Sequence, residues 1–297
     1  MSNFRIATNQ LVRNSLANLQ QTVDKLSDLQ DEASSLKRLR KPSDAPADVV
    51  SAMSLHADIG RNDQISKNID DATSWLGTAD SALQSVVTQL QKVHDLVIQA
   101  QNPAIDDTSR ASIATQIDAL RTSIIGVANT QYAGRPIFGG TASGGAAYDA
   151  NASYVGISTA IERTIAPGQR VQVNVNGDAV FGTTGSGNDL FSTLAQLANA
   201  VQSNNTSQLG TLTASLDAQT NTVQTGLAEV GARFQPVDSM KNQNSADALT
   251  MKQNLSKIED ADIAQVMMNL QTQQVAYQAA LSATAKAIQP SLADFLR

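Results

Sequence analysis

Two histidines, His56 and His94, are the only imidazoles in this 297-residue chain, and it contains no cysteine. Neither histidine stands at a spacing that makes a metal site or a catalytic triad. Without thiols there is no disulfide framework, no thiolate metal centre and no cysteine nucleophile. The glycine-rich strings "GRPIFGGT" (134–141) and "GSGND" (185–189) are the nearest approach to a phosphate cradle. Such a cradle needs a strand before it and a helix after it. Here the glycines read as turn geometry, with Phe138 anchoring the chain beside them and Asn188 or Asp189 capping a following helix. No catalytic, cofactor-binding or metal-binding residue is expected, and the chain is predicted not to be an enzyme.

One charged cluster stands out. "SSLKRLRKPSDAP" (34–46) brings Lys37, Arg38, Arg40 and Lys41 up to a proline-rich turn. A nucleic-acid patch is one reading, but no aromatic residue is interleaved. The net charge is −6, spread unevenly: residues 1–43 carry +3, residues 44–249 carry −9, and residues 250–297 are neutral. An acidic body disfavours nucleic acid as a partner. Cations suit a helix C-terminus, and Pro42 disfavours helical geometry at Lys41. Ser43 or Asp44 can cap a new helix with Pro46 in its first turn. The stretch therefore predicts a helix running past Leu36 and Leu39, then a hinge built from Arg38, Arg40, Pro42, Ser43 and Asp44.

The elements that would position such a hinge are long helices. Leu16, Leu19, Val23 and Leu26 follow steps of three and four, and Leu29, Ala33 and Leu36 continue the pattern less regularly. A stricter tract runs from Ile65 through Leu76, Leu83 and Leu90 to Ala100, alternating steps of four and three for roughly 50 Å of helix. Asn102-Pro103 interrupts it, and Asp106, Asp107 or Thr108 can cap the next tract, Ile113 to Val127. So short a connection between two long helices predicts an antiparallel hairpin.

From Gly134 to about residue 189 the pattern changes. Val171, Val173 and Val175 alternate, and turn signals stand at Pro167-Gly168 and Asn176-Gly177. Hairpins are expected there. Helical spacing returns at Leu190–Val201 and at Leu209–Val237. It appears again from Ile263 through Met267, Leu270, Gln274, Tyr277, Leu281 and Thr284 to Ile288, after which Pro290 should end or kink the helix. The expected fold is mainly α: an elongated antiparallel helical bundle or coiled coil drawn from both chain ends, with a small β-rich insertion domain at the tip. The expected domains are a terminal coiled-coil assembly domain (1–43 with 250–297), a rod-like helical bundle (44–136 with 190–249) and the β-rich insertion (137–189).

No stretch approaches ~18 apolar residues, so no membrane span is predicted. The opening residues have no apolar core segment followed by a small-residue cleavage site, so no Sec-type signal is predicted either. The terminal seams are narrow and interrupted by Gln30, Gln274 and Thr284. Such a helix pair buries little by itself, and polar seam residues commonly fix register or oligomeric state. Two readings stay open: terminal helices that become ordered in an assembly, or an ordinary bundle whose ends pack on each other. Under the first, Leu16, Leu19, Val23, Leu26, Leu270, Tyr277, Leu281 and Ile288 are interface residues. Leu292 and Phe295 would dock into an adjacent subunit.

Five strings, in order, carry a resemblance: "FRIATNQ" (4–10), "KPSDAPADVVSA" (41–52), "NIDDATSWLGTADSAL" (68–83), "ANTQYAGRPIFGGT" (128–141) and "YQAALSATAK" with "SLADFL" (277–296). Together they resemble the flagellar hook-associated protein 3 family, the flagellin-related proteins of the hook–filament junction. The resemblance covers nearly the whole chain and is weakest over about 141–189. It implies a structural subunit exported through the flagellar type III apparatus, extracellular, with terminal helices forming an inner tubular layer and the β-rich part outside. It implies as partners further copies of the chain in a ring, the first hook-associated protein on the hook side and flagellin on the filament side. An export chaperone would bind the C-terminal helix. It implies no cofactor, no nucleic acid and no membrane insertion. "KAIQPSLADFL" (286–296) departs from the pattern and looks like the end of flagellin itself, whereas "GRPIFGGT" favours the junction proteins. A flagellin-type filament subunit is therefore the alternative, with a cytoplasmic coiled-coil signalling protein behind it.

Overall fold

The computed structural model describes residues 2–43, 45–183 and 189–293; for residues 2–9, 11, 12 and 286–293 it describes the backbone alone. The chain is mainly helical. Its elements, in order, are α1 (Ser2–Ser35), α2 (Pro46–Ala100), α3 (Asp107–Ala128), β1 (Gln131–Tyr132), β2 (Arg135–Pro136), β3 (Glu162–Ala166), β4 (Gln169–Gln172), α4 (Gly177–Phe181), α5 (Leu190–Gln202), α6 (Thr206–Glu259) and α7 (Ile263–Ala293). They form two compact units: Met1–Gly60 with Leu249–Arg297, and Arg61–Ala248.

The second unit holds the core. Along α2, every seam residue from Ile69 to Ala100 is buried, as the alternating spacing predicts. Ile113, Ile117 and Ile124 of α3 join the same apolar cluster, together with Leu194, Leu197 and Val201 of α5 and Leu209, Leu216, Val223, Val230 and Val237 of α6. The predicted breaks hold. The chain leaves α2 at Ala100, and the Asp106 side chain accepts a hydrogen bond from Ser109 N at 2.8 Å, capping α3. Asp189 does the same for α5 through Ser192 N at 2.8 Å. Each supplies an acceptor to a helix end that has none of its own. Pro236 lies inside α6. A proline there forfeits one backbone hydrogen bond at about 3 kcal/mol, and the flanking core residues Val230 and Val237 hold the helix through it.

The segment 137–189 is less β-rich than its alternation suggests. Among the described residues it holds one hairpin, β3–β4, turning at Pro167-Gly168 as predicted. A second small hairpin, β1–β2, precedes it, with Ala133 and Gly134 both at positive φ. That is the pattern of a two-residue turn matched to strand twist. Asn176-Gly177 makes no hairpin. Asn176 instead precedes the one-and-a-half-turn helix α4, and Gly177 N donates to Phe138 O at 2.8 Å. Aromatic packing explains the change: Phe138, Phe181, Tyr148 and Phe191 meet edge to face, and α4 is what brings Phe181 into that group. Phe138 is fully buried, so its predicted anchoring role holds. Burial pushes the Tyr148 phenol far above its ordinary pKa, and its hydroxyl donates to Gly182 O. At Gly140, φ is +59° and a Cβ would lie 1.8 Å from Ile157 O, so only glycine fits.

One expected helix end moves, and of the two outcomes open at Pro290, an end or a kink, the end does not occur. α1 stops at Ser35, with Leu36 in the left-handed region at φ 57°, rather than running on toward Pro42. Leu36 and Lys37 leave the helix because their backbone finds partners elsewhere: Ala261 N donates to Leu36 O at 3.0 Å, and Lys37 pairs with Asp260 in an isolated antiparallel bridge. At the other end, α7 does not stop at Pro290 but continues to Ala293.

Candidate assembly surface and the 36–45 segment

Within the first unit, α1 and α7 pack closely along their lengths. Gln273 Nε2 donates to Thr22 O at 3.1 Å, and Lys37 bridges to Asp260, so the two helices run antiparallel. The residues that face the partner helix are half-buried Ser15, Leu19, Thr22, Leu26, Leu29 and Ala33 on α1. On α7 they are Val266, Leu270, Gln273, Tyr277, Ala280 and Thr284. Both sets keep the four-three spacing.

This seam is rotated from the expected one. Leu19, Leu26, Leu270 and Tyr277 lie on it. Leu16 and Val23 do not; each sits one residue beyond a seam position taken by Ser15 or Thr22 and is exposed. On α7, Ile263, Met267 and Leu281 are exposed, and so are Met268 and Val275, which the heptad reading passed over. A one-residue step turns a helix by about 100°, so these apolar side chains flank or oppose the seam. Spacing alone could not choose among the apolar stripes, because a helix with more than one stripe satisfies several heptad frames. The side chains of Ile288 and Leu292, and Phe295 entirely, lie outside the described residues.

The linker between α1 and α2 is tied to the α6–α7 turn. Arg38 N donates to Glu259 O at 2.7 Å. Lys37 Nζ lies 2.6 Å from Asp260 and 3.2 Å from Glu259, and His56 Nε2 lies 2.6 Å from the other Glu259 oxygen. Arg38 reaches Asp48 at 2.9 Å and Ile258 O at 2.8 Å. Arg40 pairs with Asp28 and Asp31, and Lys41 with Asp28. All four cations of the cluster therefore meet carboxylates of their own chain. Pro42 and Ser43 form the turn, with Asp44 outside the described residues.

The hydrogen bond to Asp260 holds the Lys37 ammonium above its ordinary pKa. The bonds from Lys37 and then Ser256 hold the Asp260 carboxyl below its own. For Glu259 burial pushes upward, but hydrogen bonds from His56 and Lys37 outweigh it and the net shift is downward. Among the described residues no group of three or more acidic or histidine side chains could hold a metal ion. Likewise no described helix is long and apolar enough to cross a membrane.

The fold thus defines a helical protein with a well-filled core in one unit and a thin helix pair in the other. The family model of the bacterial flagellin N-terminal helical region matches residues 6–143, and that of the C-terminal helical region matches residues 212–296. Together they take in well over half of the chain, which belongs to the bacterial flagellin family, a family of flagellar structural proteins. It is 27% identical over 276 residues to flagellar hook-associated protein 3 of Escherichia coli, covering 85% of this chain and 87% of that one. It is 26% identical over 275 residues to flagellin of Bacillus subtilis, covering 87% and 88%. A solved structure described as a flagellar hook-associated protein from Vibrio parahaemolyticus shares the fold, with a TM-score of 0.68 at 21% identity, over 73% of this chain and all of the other.

Proposed function

We propose that this chain is a structural subunit of the bacterial flagellum that forms the junction between hook and filament and is required for filament assembly. The observation that carries this reading is the surface of the α1–α7 pair. Leu16, Val23, Ile263, Met267 and Leu281 stand exposed on helices whose mutual seam is only half-buried apart from Val266. An apolar surface of that kind marks an interaction site. The likeness to hook-associated protein 3 supports the junction as its place.

On this reading residues 1–43 and 250–297 form the assembly domain. Leu19, Leu26, Leu270 and Tyr277 hold the pair together, while Leu16, Val23 and Leu281 are covered by other copies in a ring. Ile288, Leu292 and Phe295 are assigned to the same assembly interface from the sequence. Residues 44–136 and 190–249 form the helical body, 137–189 the outer insertion, and Arg38, Arg40, Pro42, Ser43 and Asp44 the hinge. The first hook-associated protein lies on the hook side and flagellin on the filament side. The chain leaves the cell through the flagellar export apparatus, its C-terminal helix held beforehand by an export chaperone, and works outside the cell. It performs no catalysis, takes no cofactor and needs neither nucleic acid nor membrane.

Deleting the gene tests this. Hooks should remain while filaments are absent and flagellin is shed into the medium; intact filaments would refute the assignment. The likeness to Bacillus subtilis flagellin and the string around Pro290 favour a second reading, a filament subunit. Purified protein that polymerises alone into long filaments would establish it instead.

A further inference from the structure

Two heptad ladders of the second unit end on asparagine. On α2, Ile69, Leu76, Leu83, Leu90 and Val97 follow one another at seven-residue steps and are buried, and Asn62 is the step before Ile69. On α6, Leu209, Leu216, Val223, Val230 and Val237 do the same, and Asn244 is the step after Val237. Both asparagines are more than nine-tenths buried. They face each other: Asn62 Nδ2 donates to Asn244 Oδ1 at 2.8 Å and to Asn244 O at 3.2 Å, and Asn244 Nδ2 returns a bond to Asn62 O at 3.4 Å. α2 and α6 run antiparallel here, since Lys241 also meets Asp70.

We infer that the Asn62–Asn244 pair is the register lock of the α2–α6 coiled coil. The apolar ladders cannot set the register alone. A slip of one heptad still places aliphatic side chains opposite aliphatic side chains, because both ladders contain only Ile, Leu and Val. The same slip moves Asn62 against Val237, or Asn244 against Ile69, and leaves amides buried without partners. An unpaired buried amide costs much more than a paired one gains, so the pair separates one register from its neighbours, as polar seam residues do in coiled coils. Other polar ties do not replace it. Lys241–Asp70 and His94–Asp217 are both half-exposed, and such pairs contribute little. Asn68 bonds Thr164 O and Arg233 bonds Asn174 O, tying each helix to the 137–189 segment rather than to the other helix. The partners are 182 residues apart in the chain, so local folding cannot align them in advance.

The full chain has no native cysteine, which makes a cross-linking test direct. Asp70→Cys with Lys241→Cys reports the native register; Asp70→Cys with Ala248→Cys reports a slip of seven. With Asn62 and Asn244 intact, a short thiol-specific cross-linker should capture only the first pair. In an Asn62→Val/Asn244→Val background it should capture both, with a Tm equal to or above that of the parent. The Asn62→Ala/Asn244→Ala background carries the same test should the valine pair misfold. Exclusive capture of the 70–241 pair in either folded double variant would overturn the lock, whatever its Tm.

Discussion

The two units are written in the same heptad code and use it differently. In the second unit Leu83, Leu90, Ile117 and Val223 are wholly removed from water. In the first unit α1 and α7 keep the spacing with equal regularity, yet their seam residues are only half-buried, apart from Val266. The difference lies in how many elements meet. Helices α2, α3, α5 and α6 and the 137–189 segment enclose one cluster, so a seam residue there is covered on several sides. Two helices cover each other on one side only. The apolar residues they leave outward are exposed, and a heptad spacing by itself says nothing of how many neighbours a seam will have.

The sharpest way to break this contrast is by truncation. Leu83→Ala should destabilise the second unit by about 2–5 kcal/mol, because a fully enclosed side chain leaves a cavity; urea denaturation followed by circular dichroism measures it. Limited proteolysis of the isolated protein should cut within about residues 1–40 and 255–297 well before the 61–248 unit. Ends as resistant as the middle would show that the terminal pair needs no further partner. Asp189→Ala removes the cap of α5 and should cost about 1 kcal/mol, read in the same denaturation experiment. Leu26→Ala should cost less, about 1 kcal/mol or below, since a half-buried side chain loses only part of its transfer energy and opens no closed cavity. In cells, Leu281→Asp should block filament growth while hardly moving the Tm.

The smallest effect belongs to the ion cluster at the linker. Glu259 and Asp260 are held below their ordinary values of 4.5 and 3.8. The stability they supply is therefore present above those values and lost as pH falls through the depressed folded-state values. Lys37 is raised above 10.5, so its share is present below that pH and lost as pH rises past it. Hydrogen-exchange protection factors at residues 36–38 and 259–261, taken relative to the intrinsic rate at each pH, should accordingly fall below about pH 4, and Glu259→Gln should flatten that dependence. Unchanged protection at low pH would show that the backbone bridge alone holds the linker.

What the amino-acid order determined by itself was periodic or local. The steps of four and three from Ile65 to Ala100, the break at Asn102-Pro103, a cap among Asp106, Asp107 and Thr108, another at Asn188 or Asp189, and the turn at Pro167-Gly168 each depend on neighbours within one or two helical turns. All of them stand in the structure. The family strings were legible for the same reason, as contiguous runs. Tertiary structure decided whatever depends on residues distant in the chain. It chose Ser15 and Thr22 over Leu16 and Val23 for the α1–α7 seam, because packing two helices selects one face and that face is set by the partner's shape. It ended α1 at Ser35, because Glu259 and Ala261 offered backbone partners some 220 residues away. It turned Asn176-Gly177 into the start of α4, because Phe181 had an aromatic cluster to join. And it paired Lys37, Arg38, Arg40 and Lys41 with carboxylates of their own chain, since opposite charges pair with whatever the fold brings within reach.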